Sequence, residues 1–200
     1  MSNSSDLTTG YPGVDLKQVE KLVDRTLDTY DPDEIREIID NELAPLALRF
    51  PDSEEINLLL VKALSNMTLI ADLDQTRAAV NLELAPIAHR FADSEIINRW
   101  FAMSISMLTL DTEPDETRAL IDNELAPIAL HFPDSPVINA QLVSALRMLI
   151  DAAPTLEAAN QILENELIPV ADRFPNHPET KDELARALAI LATKTPTDDQ

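Results

Sequence analysis

One phrase is written four times in this chain: ELAPLALRFPDS at 42–53, ELAPIAHRFADS at 83–94, ELAPIALHFPDS at 124–135 and ELIPVADRFPNH at 166–177. The leading glutamates, Glu42, Glu83, Glu124 and Glu166, are 41, 41 and 42 residues apart. Self-similarity near this period predicts a stacked array of small units, either helical hairpins or sheet blades. Glycine decides between them. Blades need glycines in their turns, and the only two in the chain, Gly10 and Gly13, precede the first copy.

Within a unit the apolar pattern is helical. Ile35, Ile38, Ile39, Leu43, Leu46 and Phe50 fall at three- and four-residue steps, marking one stripe. Phe50-Pro51-Asp52-Ser53 reads as a turn whose Asp and Ser oxygens can cap the next helix. That helix carries Ile56, Leu59, Leu60, Ala63, Leu64 and Met67. Each unit is then two helices, and stacking covers stripes that neither helix could bury alone. The expected fold is all-α, an α-solenoid of about four two-helix repeats at 33–73, 74–114, 115–156 and 157–194. A capping helix at 14–30 (Val14, Val19, Leu22, Val23, Leu27, Tyr30) precedes them in one domain, 14–194. The leader 1–13 and the tail 195–200 are expected to be disordered.

Pro45, Pro86, Pro127 and Pro169 interrupt each first helix at one register. A proline inside an α-helix removes an amide and clashes with the carbonyl four residues back, at a cost of roughly 3 kcal/mol. Its recurrence predicts a built-in bend in every outer helix. Ala47, Ala88, Ala129 and Ala171 on first helices, and Ala63, Ser104, Ala145 and Ala187 on second helices, predict close helix approach.

The stretches LAPLALRFPDSEEI…KAL, LAPIAHRFADSEII…SIS, LAPIALHFPDSPVI…SAL and LIPVADRFPNHPET…RAL resemble the HEAT-repeat pattern. The resemblance covers about 33–192 and implies an architecture more than an activity. HEAT repeats commonly place a basic residue early in the second helix, paired with turn acids in a ladder. This chain has Asn57, Asn98 and Asn139 there, with Lys181 in the fourth unit, so a ladder would be built from amides. Armadillo-type repeats, whose asparagines clamp a peptide backbone, are a close alternative resemblance.

Acidic residues outnumber basic ones 36 to 15, a formal charge of −21, and every unit shares in the excess. Such a surface disfavours nucleic-acid phosphate. It fits solubility by self-repulsion, adaptation to high salt, or mimicry of a polyanion toward a basic partner. Cysteine is absent, which removes disulfides and thiol chemistry. No secretory pattern opens the chain, and its densest apolar run, LLLVKAL at 58–64, is short of a membrane span. A cytoplasmic protein without membrane contact is expected.

No residue set points to a reaction, a metal or a cofactor. His89, His131 and His177 sit at three different repeat registers, and the Glu column supplies one carboxylate per unit without converging. Trp100 and Phe101 occupy the columns of the core residues Leu59 and Leu60 and are expected to pack. The leading reading is a non-catalytic scaffold or adaptor that holds a protein or peptide along its second helices, with Asn57, Asn98, Arg99 and Asn139 as candidate contacts. The alternative is an acidic, DNA-mimic-type inhibitor of a basic or nucleic-acid-binding partner. Self-association is left open, because Leu184, Leu188 and Leu191 on the last helix need cover.

Overall fold

A computed structural model of the chain describes residues 11–194. Among them there are nine helices and no strand. They are α1 (Leu16–Asp28), α2 (32–49), α3 (Glu54–Thr68), α4 (73–90), α5 (Glu95–Leu108), α6 (114–131), α7 (Pro136–Ala152), α8 (156–171) and α9 (Pro178–Lys194). None is long and apolar enough to cross a membrane.

The helices start where side chains supply what the backbone lacks. The first amides of a helix have no internal acceptor, and Asp15, Asp31, Ser53, Asp72, Ser94 and Thr155 each accept one of them. Asp72 and Gln75 complete a reciprocal capping box. Pro32, Pro114, Pro136 and Pro178 occupy first-turn positions, where a missing N–H is harmless.

The recurring proline is accommodated by a local change of helix type. Each first helix widens into a π-helical turn, at Ile39–Leu43, Ala79–Leu84, Ile121–Leu125 and Leu163–Leu167. The amides of Ala44, Ala85, Ala126 and Ile168 reach back five residues, to the carbonyls of Ile39, Val80, Ile121 and Leu163. The proline next in line then stands in the first turn of a fresh α-helical segment. Its lost hydrogen bond and ring clash are largely relieved there.

The widened turn also sets what is buried. Ile35, Ile39, Leu43 and Ala47 are spaced by four, as are Thr76, Val80, Leu84 and Ala88; Thr117, Ile121, Leu125 and Ala129; and Ala159, Leu163, Leu167 and Ala171. None of the sixteen is more than 7 % exposed. At about 100° per residue, twelve residues of pure α-helix would end about 120° from where they began. One extra residue in a π turn takes up roughly 100° of that drift, so a strict four-residue column stays on one face.

The second helices pack in series, α1 on α3, α3 on α5, α5 on α7 and α7 on α9. Each first helix lies against its own second helix, and the π turns of α4, α6 and α8 also touch the second helix before them. One hydrophobic cluster runs from Val19 to Leu191. The small residues of both columns are buried in it or beside it, with Ala63, Ser104, Ala145 and Ala187 at 0 % exposure. Leu191 is buried, Leu184 is half-buried against the core, and Leu188 is half exposed.

The N-terminal order begins earlier than the sequence leads one to expect. The Tyr11 ring packs edge-on against Phe50, with centroids 5.3 Å apart, and Ser53 Oγ donates to Tyr11 Oη at 2.7 Å. Arg49 donates to the Pro12 carbonyl at 2.8 Å. Tyr11-Pro12 thus does for α1 what Phe50-Pro51 does for α3. The remainder of the leader, 1–10, and the tail 195–200 lie outside the described residues.

If the π turn absorbs the proline, replacing it relieves little. Pro127→Ala should change unfolding free energy by less than about 1 kcal/mol in urea denaturation, where an α-helical interior site would gain roughly 3 kcal/mol.

Candidate functional site

The asparagine column lies inside the turns. Asn57, Asn98 and Asn139 are at most 4 % exposed. Asn57 Nδ2 donates to the carbonyls of Phe50, Pro51 and Ser53 at 3.3, 3.2 and 2.8 Å. Asn98 repeats this with Phe91, Ala92 and Ser94 at 3.1, 3.3 and 2.9 Å. Asn139 donates to Phe132 and Ser135, and its Oδ1 accepts from Arg173 at 2.5 Å. Each amide fastens the helix-to-helix turn of its own unit. A partner could take these donors only by breaking that fastening. Lys181, in the corresponding fourth place, is exposed.

Charged side chains, rather than an amide ladder, link most of the units. Arg36 holds Glu83 through two hydrogen bonds of 2.7 and 3.0 Å, and Arg118 holds Glu166 at 2.6 and 3.0 Å. Arg77, in the same column, turns instead to Glu116 at 2.8 and 3.0 Å, while His89 meets Glu124 at 3.1 Å. Hydrogen bonding from the Arg77 guanidinium keeps the Glu116 carboxyl below the usual carboxylate range; likewise the hydrogen bonds that Arg36 and Arg118 donate to Glu83 and Glu166 raise the two arginines above theirs. A second column closes the first helices backward: Arg49 onto Pro12, Arg90 onto the Pro51 carbonyl, His131 onto Asp93 and Arg173 onto Asn139. Glu83, Glu124 and Glu166 of the Glu column, and two of the three histidines, are thereby used between units. No group of three or more His, Asp or Glu side chains among the described residues is arranged to hold a metal ion.

What the first helices settle among themselves, the second helices leave open near the N-terminus. A depression of about 400 Å³ runs over α3 between α1 and α5. It is lined by Glu20, Val23, Asp24 and Leu27 from α1, by Leu59, Lys62 and Asn66 from α3, and by Trp100 from α5. Trp100 is half-buried, whereas its neighbour Phe101 is 1 % exposed and belongs to the core. Leu27 is 58 % exposed. Arg99 is exposed beside Trp100 and does not line the depression.

The groove escaped the sequence because its residues come from three helices, and because Trp100 aligns with the core residue Leu59. The signal that was present is size: an indole in a column otherwise filled by Leu59, Gln141 and Glu183. Comparison with models of known protein families, with curated proteins and with solved structures finds no match to this chain.

Asn98→Ala should lower stability by about 1–3 kcal/mol in urea unfolding, since three turn carbonyls lose their shared donor. The Arg77–Glu116 link sets a pH dependence with a fixed sign. Because the folded carboxyl titrates lower than the unfolded one, its contribution is present at neutral pH and fades as pH falls through the folded value. Arg77→Met should flatten the acid side of the stability–pH curve and leave its alkaline side unchanged.

Proposed function

We propose that the chain is a non-catalytic, cytoplasmic scaffold or adaptor. It is read as a short HEAT-like α-solenoid of about four two-helix repeats and an N-terminal capping helix, with second helices forming the face that holds a protein or peptide. The observation that carries this reading is the open groove over α3, where Trp100 and Leu27 present apolar surface to solvent. Half-buried aromatics in a depression are the residues that dominate protein–protein affinity. The second helices also carry adaptable side chains. Met103, Met107 and Met148 are half-buried on α5 and α7, and flexible thioethers suit contact with irregular partners. Arg99 is proposed as a flanking contact. Asn57, Asn98 and Asn139 contribute from behind, by holding the turns from which the second helices start.

A second reading, polyanion mimicry toward a basic partner, is favoured by the formal charge of −21. The two part company in salt. Long-range charge attraction is screened strongly, whereas an apolar anchor is not.

Wild type, Trp100→Ala and Leu27→Ser should be compared in pull-downs from native cytoplasm at low and high salt, with helicity checked by circular dichroism. A specific partner held by wild type should be lost from Trp100→Ala, by about 2 kcal/mol or more for an anchor residue, and weakened by Leu27→Ser. Retention by both variants would overturn the groove reading. Retention by both at low salt with loss from every protein at high salt would favour charge mimicry.

A further inference from the structure

We propose that the α1–α3–α5 groove takes a cationic segment of another protein, seating an apolar side chain over Val23, Leu59 and Trp100 and a lysine or arginine against Glu20 and Asp24. This rests on the binding-face reading above and assigns the chemistry of the occupant.

Three features converge on that occupant. The first is an acceptor without a donor. Asn66 is 4 % exposed and lines the groove, and its Nδ2 donates to Thr26 Oγ1 at 2.7 Å. Its Oδ1 is buried and has no hydrogen-bond partner among the described residues. A buried amide oxygen left unmatched is costly, so a donor that an occupant brought within reach of it would be held there. The second is charge. Glu20 and Asp24 stand four apart on α1, the spacing that brings like charges together on one helix face. Neither carboxylate is in an ion pair among the described residues, unlike the carboxylates that tie the first helices together. A cation between them relieves their repulsion. The third is steering. Lys62 rises from the α3 side of the groove without an ion pair among the described residues. Its charge opposes a cation on the α3 side and leaves the α1 wall, with Glu20 and Asp24, as the place for one.

The other occupants fit badly. A second copy would bring its own charge of −21 to an acidic site, and long-range repulsion opposes that encounter. A nucleic-acid strand is disfavoured for the same reason. The groove volume of about 400 Å³ suits one or two large side chains and not a folded domain.

The chain has a single tryptophan, and it lines the groove, so its fluorescence reports occupancy directly. The probe is a synthetic amphipathic leucine–lysine peptide free of tryptophan, beside versions with glutamine or glutamate in place of lysine. The lysine peptide should shift Trp100 emission to the blue and saturate. Glutamine and glutamate versions should bind about tenfold more weakly or less, as should the lysine peptide to the double variant Glu20→Gln/Asp24→Gln, the effect expected for two partly exposed charge contacts. The control Glu179→Gln/Asp182→Gln on α9, with the same change in charge, should stay within about twofold of wild type. Equal loss in the α9 control would show binding by net charge alone and overturn the proposal. A glutamine peptide that binds as tightly, with the same emission shift, would remove the cation while leaving the binding face standing. Failure of every peptide to move Trp100 emission would remove both.

Discussion

Everything in this fold depends on keeping a four-residue column on one side of a helix that turns every 3.6 residues. An α-helix cannot do so over twelve residues, and the π turn supplies the missing arc. Proline and π turn belong together here. The turn gives the ring a first-turn environment, and the ring denies the chain a return to uninterrupted α geometry, because an imino nitrogen cannot donate. The same turns in α4 and α6 touch the second helices of two successive units, and that of α8 touches the one before it. The local irregularity is therefore also the place where one unit meets the next.

Side-chain links reinforce those meetings from both directions. Arg36 and Arg118 reach forward to the glutamates of the following unit, while Arg90, His131 and Arg173 reach back to the preceding turn. Singly, such half-exposed pairs contribute about 0–1 kcal/mol. Their repetition matters more for register than for energy, since each link is made only when neighbouring first helices are aligned lengthwise. Buried hydroxyls do similar work among the second helices, where Ser65 and Ser104 meet at 2.8 Å.

The period, the helical hairpins and the buried small residues could be read from the sequence because each is a local pattern repeated four times, and the caps at Ser53 and Ser94 because each serine follows the same turn. The π turn was equally present, in the strict spacing of Ile35, Ile39, Leu43 and Ala47, but three- and four-residue steps are what an ordinary amphipathic helix also shows. Arg36, Arg77 and Arg118 recur every 41 residues, in step with the glutamates, and only coordinates reveal that Arg77 chooses a different carboxylate. The buried asparagines illustrate a true ambiguity: an amide at the start of a helix can face its own turn or a visitor, and the sequence around it is the same in both cases. Trp100 shows another. Alignment with Leu59 predicts a core residue, yet Gln141 and Glu183 share the column, and the indole, like them, is half-buried at the surface.

The hooks between units have a consequence for how such a gene can change length. Donor and acceptor for a junction come from adjacent copies, and the interior copies carry both kinds. Tandem gain or loss of one whole 41-residue period would therefore leave each new boundary with a matching set of groups. A gain or loss of one residue fewer would rotate every later buried position by about 100°. Recombination is thus tolerated in units of the repeat and punished between them.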